Sequence, residues 1–259
     1  MERADELVTE EPMEIRLAGP RGGSPVSVAV TMRTPGHDFD LAVGFLFSEG
    51  LISLGDVSGV RYCELPDEAE QRFNIVTVRV RQPPALGAIP VRRFDVSASC
   101  GLCGKASLDE LADRCPVVAP GPILAGSVLS SLPKKLGAEQ RVFASTGGLH
   151  AAGLFQTDGS VIAVREDIGR HNAVDKIVGH GVLSGLLPLT GHLLMVSGRV
   201  SFEIVEKAAM AGIGLVAAVS APSSLAVDAA KRFGVVLVGF VREDRYNIYA
   251  GDDRIDAGA

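Results

Sequence analysis

Two cysteines three positions apart, in Cys100-Gly101-Leu102-Cys103-Gly104, end a run of small residues that begins at Val96. Thiols at this spacing in a Gly/Ser-rich loop are accessible and close enough to cooperate. A capping box, Ser107-Leu108-Asp109-Glu110, opens a helix just beyond them. The partial positive charge of that helix start, with Lys105, would lower a thiol pKa, and thiolate is the form that attacks sulfur or binds metal. A structural zinc site needs a second ligand pair at suitable spacing, and Cys63 and Cys115 stand alone. A thioredoxin-like dithiol would follow the first strand of a compact βαβ unit, which is not the layout here. Two loop residues without a role are the plain alternative; a sulfur-handling thiol is favoured. Cys63, in a strand, and Cys115, before Pro116, read as packing residues.

Four further clusters carry chemistry of another kind. Ser145-Thr146-Gly147-Gly148-Leu149-His150 offers small hydroxyls and exposed backbone N–H groups that suit an anion, although a plain turn fits equally well. The stretch from Arg165 to Lys176, which includes Asp167, Arg170, His171, Asn172 and Asp175, is dense in charge at a strand-to-helix junction. Open α/β sheets bind ligands at such junctions; the alternative is a solvated helix start that Asp175 and Lys176 merely cap. Ser197-Gly198-Arg199-Val200-Ser201 directly follows an apolar strand, where glycine admits a phosphate to the backbone and arginine can grip it with two bonds. Ser220-Ala221-Pro222-Ser223-Ser224 occupies the equivalent place after the next strand. Phe240-Val241-Arg242-Glu243-Asp244-Arg245 follows the last one with two more guanidinium groups. Arg170, Lys176, Arg199, Arg242 and Arg245 form a candidate local anion site; scattered surface charge explains them too.

The elements that must position these residues are legible in part. Residues 26–34 alternate at period two and read as a half-buried strand; Asp38 is the expected N-cap of a helix that places Leu41, Phe45 and Leu46 on one face and stops at Gly50. Strands at Val57–Glu64 and Phe73–Arg81 complete a small α+β unit. Farther on, His150–Phe155 and Val161–Arg165 flank the turn Thr157-Asp158-Gly159. A helix over His171–Leu183 then leads into Leu193–Val196, a helix over Ser201–Ala211, Leu215–Val219, a helix over Ser224–Phe233, and Val235–Phe240. Continuous Val/Leu/Ala runs separated by amphipathic helices are the pattern of buried parallel strands in βαβαβ order. Tyr246–Ala250 adds an edge strand. The dinucleotide signature G-x-G-x-x-G is absent, so no Rossmann cofactor is indicated.

Composition sets the outer bounds. In 259 residues, 47% are apolar and 22% charged, which supplies a core and argues against disorder. A net charge of -6, no Trp and 5% aromatics argue against nucleic acid as a partner. The longest apolar stretch, around Met210 to Val219, is far short of the ~18 residues that span a bilayer, and the charged Met1–Glu6 run lacks the apolar region of a signal peptide. A cytoplasmic protein with reduced cysteines is expected.

Taken in order, Thr34-Pro35-Gly36, Leu41-Ala42-Val43-Gly44-Phe45-Leu46 with Glu49-Gly50, Cys100-Gly101-Leu102-Cys103-Gly104, Thr146-Gly147-Gly148 with His150, Asp167-Ile168-Gly169-Arg170-His171-Asn172-Ala173 with Asp175-Lys176, and Ser197-Gly198-Arg199 resemble the FdhD family over nearly the whole chain. The resemblance implies an α/β protein with a cytidine-deaminase-like α/β/α core over 107–259, a smaller N-terminal α+β unit over 1–96, and a flexible cysteine loop over 97–106. It implies a cytoplasmic, homodimeric sulfurtransferase that receives persulfide sulfur from a cysteine desulfurase. The sulfur passes to a molybdenum (or tungsten) bis-pterin guanine dinucleotide cofactor, as substrate and without a resident metal, and so serves formate dehydrogenase. Cys100 and Cys103 match the family's cysteine pair, Cys100 being the preferred carrier, and Phe240–Arg245 match its cofactor-binding segment. Gly147, Gly148, His150, Arg170, His171, Asn172, Lys176, Ser197, Gly198 and Arg199 are the further candidates for holding that cofactor. Two other readings are weighed. A zinc deaminase needs H-x-E and P-C-x-x-C, whereas His150 precedes Ala151-Ala152 and Ser99 precedes Cys100. A non-enzymatic cofactor chaperone would use the cysteine pair only to sense redox state.

Overall fold

The computed structural model describes residues 5–20, 24–63, 73–82, 94–95 and 115–256. Cys100, Cys103, Lys105, the expected loop over 97–106 and the capping box at 107–110 lie outside the described residues.

Period-two alternation builds the first sheet. Strand β1 (Glu11–Ala18) buries Met13, Ile15 and Leu17 on one face, and β2 (Val26–Arg33), β3 (Val57–Tyr62), β4 (Ile75–Val80) and β5 (Phe94–Asp95) complete the order β3-β4-β1-β2-β5. The sequence reading places no element before Val26, yet β1 is central, antiparallel to β2 and parallel to β4. Helix α1 (Asp38–Ser48) begins where expected, but Asp38 is not its N-cap. His37 takes that position with φ 55°, while the Asp38 carboxylate accepts from Gly36 N, Arg33 Nη2 and Tyr62 OH. Gly50, at φ 69°, stops the helix as read.

The second sheet follows the βαβαβ pattern. After β6 (Leu124–Ala125), α2 (Gly126–Glu139) and α3 (Arg141–Thr146) come β7 (His150–Gln156), β8 (Val161–Asp167), α4 (Arg170–Leu183), β9 (His192–Val196), α5 (Phe202–Met210), β10 (Leu215–Ala218), α6 (Ser224–Phe233), β11 (Val236–Gly239), β12 (Asn247–Ala250) and β13 (Ile255–Asp256). The order is β12-β11-β10-β9-β7-β8, with β9, β10 and β11 parallel and β7 antiparallel to both neighbours; β13 pairs with β6. Leu193 and Met195 face Leu129, Leu132 and Leu136 of α2, while Leu194 and Val196 join the core shared with α4, α5 and α6. Both faces are covered, so the strands read as unbroken apolar runs. Full burial of Phe155 or Leu132 stabilises by about 1.5–3 kcal/mol each. The α2 helix runs through Pro133, which hides it from a sequence reading.

The two sheets share one continuous core through α1 and α4. These helices touch backbone to backbone: a Cβ on Gly44 would run into the Asp175 carbonyl, and one on Gly179 into that of Asp40. No helix among the described residues is long and apolar enough to cross a membrane.

Candidate functional site

The carboxyl ends of β8, β9, β10 and β11 and the first residue of β7 meet along one end of the second sheet. Ser197, just past β9, continues the ladder to β7: its N–H donates to Ala151 O and its Oγ accepts from Ala151 N, both at 2.9 Å. The next residue, Gly198, lies against the His150 ring, where a Cβ would fall 3.1 Å from Nδ1. A bulkier residue there would displace the imidazole. Burial holds the His150 pKa below its ordinary value, and the charges of Arg170, Arg199 and His171 push the same way against a weaker pull from Asp167. Four residues of the sequence reading therefore converge on one neutral imidazole.

His171 makes two 2.9 Å contacts through Nε2, one with Ser201 Oγ and one with Glu203 Oε2. The hydrogen bond to His171 is the chief reason the Glu203 carboxyl is held below its ordinary range. The starts of α4 and α5 lie beside these groups, and neither Gly169 nor Ser201 caps its helix with a side chain. Unpaired first-turn N–H groups at a helix start favour an anion. Beside them opens a cavity of about 540 Å3, lined by Gln140, Phe143, Gly147, Gly148, Leu149, His150, Ile168, Ser197 and Val219.

Gly147, Gly148, His150 and Ser197 thus line the cavity; Gly198 lies against the His150 ring, and the charges of Arg170, His171 and Arg199 act on that ring. The Phe240–Arg245 segment supplies none of the lining residues and meets the cavity only through Val219. Phe240, at φ 52°, donates from N to Ser220 O, and Arg242 donates from Nη1 to the carbonyls of Val219 and Val241. Val241 is buried; Glu243, Asp244 and Arg245 are exposed, with a 3.7 Å surface contact between Arg245 and Asp244. The Ser220–Ser224 junction pairs with the preceding one through Val200 N to Ala221 O and Ser223 N to Val200 O.

Two residues of the charged motif are placed elsewhere. Lys176 is 1% exposed and bonds Asp167 Oδ2 at 2.7 Å, Thr34 O at 3.0 Å and Glu166 O at 3.1 Å. Asn172 Nδ2 donates to Met32 O and to Asp167 Oδ1. Asp167 also accepts from Thr34 N and Gly169 N, and Ile168 N donates to Thr34 Oγ1. Both side chains join the end of β2 to the second sheet, so the ammonium of Lys176 is spent inside the protein rather than offered at the crevice. Asp175, read as a helix cap, instead forms a buried pair with Lys207 at 2.8 Å. That carboxylate and Glu49 hold Lys207 charged, with its pKa above the usual lysine value.

Cys115 is buried, with its Sγ 3.7 Å from Glu206 O, and its thiol pKa is pushed up to about 12, chiefly by burial. Cys63 is half-buried at the end of β3. Among the described residues no three His, Cys, Asp or Glu side chains converge to hold a metal ion. Ser201 closes the Ser197–Ser201 cluster read from the sequence, whereas Gln140, Phe143 and Glu203 belong to the site without having been singled out by sequence. The one available signal was Phe143, an aromatic four residues ahead of the Gly147 stop.

Fold and site together define a mixed α/β protein with a cation-bordered crevice at the carboxyl ends of its parallel strands. The chain belongs to the FdhD/NarQ family, whose model matches residues 8–256. It is similar to the sulfur carrier protein FdhD of Nocardia farcinica, with 51% identity over 98% of this chain and 89% of that one. The same named protein of Streptomyces avermitilis is 51% identical over 98% and 90%, and that of Mycobacterium tuberculosis 47% over 98% and 92%. The crystal structure of a protein assigned as a formate dehydrogenase accessory protein from Desulfotalea psychrophila superposes with a TM-score of 0.73. It has 23% identity and covers 97% of this chain and 91% of that one.

Proposed function

We propose that this protein is a sulfur carrier in the maturation of formate dehydrogenase. It takes a persulfide sulfur from a cysteine desulfurase and delivers it to a molybdenum bis-pterin guanine dinucleotide cofactor held in the crevice. In the loading step the Cys100 thiolate attacks the outer sulfur of the donor's persulfide. An S–S bond forms on Cys100, the donor's S–S bond breaks, and the donor leaves as a thiolate, so no oxidant is consumed. Cys103 is the second thiol of the pair. The cytoplasmic setting, the homodimer and the identity of donor and recipient belong to the same proposal and rest on the family.

The observation that carries it is the convergence on one crevice of two helix starts without side-chain caps, Arg170, Arg199 and the neutral His150. An acceptor with several phosphates needs such N–H groups and guanidinium groups. The direction of β5 supports a meeting of loop and crevice. It runs parallel to β2, with Phe94 beside Ala29 and Asp95 beside Val30, and β2 ends where Thr34 binds Ile168. Cys100 is five positions beyond Asp95, a reach of up to about 17 Å. The strand order β8-β7-β9-β10-β11, with only β7 reversed, supports reading the core as cytidine-deaminase-like.

The test is intact-protein mass spectrometry after incubation with a cysteine desulfurase and cysteine. A dithiothreitol-reversible gain of one sulfur atom, lost in Cys100→Ser, is expected. No gain with a competent donor would reject the carrier role and leave the binding of a nucleotide cofactor as the function.

A further inference from the structure

Alternation along the first sheet leaves one of its faces outside the core. Met13, Ile15 and Leu17 of β1 and Val76, Val78 and Val80 of β4 are core residues, so Glu14, Arg16, Ile75, Thr77 and Arg79 lie on the opposite face. Cross-strand partners share a face. Val30 stands opposite Glu14, Thr77 stands between Arg16 and Arg61, and Arg79 stands opposite Gly59. Met32, two positions past Val30, falls on the same side.

This outer face has an apolar part and a cationic part. On β2, Val30 and Met32 are 45% and 43% exposed, whereas Val76 and Val78 of the inner face are 0% exposed. On β1, β3 and β4 three guanidinium groups gather. Arg16 is held by Glu14 at 2.7 Å, and that bond is the chief reason the Glu14 carboxyl stays below its ordinary range. Arg61 and Arg79 are exposed and make no ion pair among the described residues. Arg16 and Arg61 are two strand spacings apart, about 10 Å. On a chain of net charge -6, such a row is a local cationic field that a carboxylate surface would relieve. Methionine and arginine are also residue types enriched where proteins meet.

Position decides what covers the face. Asp95 pairs with Val30, and Cys100 follows within a reach of about 17 Å. A protein that hands sulfur to Cys100 must bring its own persulfide there, and so must rest against this end of the first sheet. The crevice, in contrast, opens at the carboxyl ends of the second sheet.

We propose that the outer face of the first sheet docks the sulfur donor, with Val30 and Met32 under an apolar patch of the donor and Arg61 and Arg79 against carboxylates that border it. This docking rests on Cys100 being the carrier, and adds where the donor sits and what its surface carries. Donor and acceptor then use different sheets, so neither has to leave before the other arrives.

Loading is followed by intact-protein mass spectrometry from two sources: a cysteine desulfurase with cysteine, and inorganic polysulfide, which needs no docking. Arg61→Glu combined with Arg79→Glu should slow loading by the desulfurase about tenfold at about 0.05 M salt, and leave loading by polysulfide within about twofold. Near about 0.5 M salt the wild-type rate should fall towards that of the double variant. Met32→Thr should slow loading by the desulfurase alone, about threefold. Lys134→Glu combined with Lys231→Glu, exposed positions on α2 and α6, makes the same change in net charge and should load as wild type does. Loading of the arginine variant by the desulfurase within about twofold of wild type overturns the docking face and leaves the carrier role standing. An equal loss with both sources, which places the arginines' effect on the thiol, overturns it too, as does an equal loss in the lysine variant, which assigns the effect to bulk charge. A changed sedimentation coefficient of Met32→Thr assigns the face to a second copy of this chain and overturns the donor there. No loading of wild type by a competent desulfurase overturns the carrier role and this inference with it.

Discussion

The ammonium of Lys176 lies 2.7 Å from Oδ2 of Asp167, and neither side chain is more than 1% exposed. Around this pair five further hydrogen bonds tie together the ends of β2 and β8 and the start of α4, from Thr34 N, Gly169 N and Asn172 Nδ2 to Asp167 and from Lys176 Nζ to the carbonyls of Thr34 and Glu166. The pair is the polar joint between the two sheets. Removing one member leaves the other buried and uncompensated. Asp167→Ala should therefore lower unfolding free energy by about 3–5 kcal/mol, seen as a reduced urea midpoint at unchanged slope. A loss below about 1 kcal/mol would mean that the site opens to water.

The glycine contact between α1 and α4 gives a second test of the same interface. Gly44→Ala and Gly179→Ala each drive a methyl into a facing carbonyl and should cost about 1–3 kcal/mol or more. Gly137, in α2, has open space around its Cα, and Gly137→Ala should be neutral or stabilising by up to ~1 kcal/mol. Thermal unfolding of the three variants side by side decides it.

Protonation should destabilise the protein below neutrality. His37, His150 and His180 are each held below the ordinary value of 6.5, first by burial. As pH falls through that value the unfolded chain takes up protons before the folded one does. Stability is full above about pH 6.5 and declines below it, until the folded-state values are passed. His150→Gln should flatten the decline measured between pH 7.5 and 5.5 by urea unfolding. Arg199→Ala should raise the NMR titration midpoint of His150 only part of the way, because burial outweighs the arginines.

Cys115 should be silent in the chemistry. A thiol with a pKa of about 12 is protonated at pH 8, and iodoacetamide should leave it unlabelled in the native protein but modify it in urea. Cys115→Ala should load sulfur as wild type does. Rapid native labelling at Cys115 would require this part of the core to open.

Much of the second sheet was readable because both of its faces are covered. Leu193–Val196 needs no periodicity when Leu193 and Met195 meet α2 and Leu194 and Val196 meet the opposite layer. β1 was hidden by Glu11, Pro12, Glu14 and Arg16, and its parallel partner β4 lies some sixty residues away in sequence. The crevice was legible where short motifs mark it, at Gly147-Gly148, His150 and Ser197. Lys176 illustrates the limit. A lysine on a charged stretch reads as solvated unless its partners are known, and one of them, the carbonyl of Thr34, is 142 residues away. Gln140 carries no motif and Phe143 only its place ahead of Gly147; the fold around α3 is what brings both to the cavity that His150 lines.

At Gly44 and Gly179 two helices meet with no side chain between them, and so without anything to slide on. The sheets on either side must then behave as one mechanical unit, unable to hinge about a ligand. Occupation of the crevice should slow amide hydrogen exchange at Thr34 and through β1 and β2, as well as at the strand ends that touch the ligand.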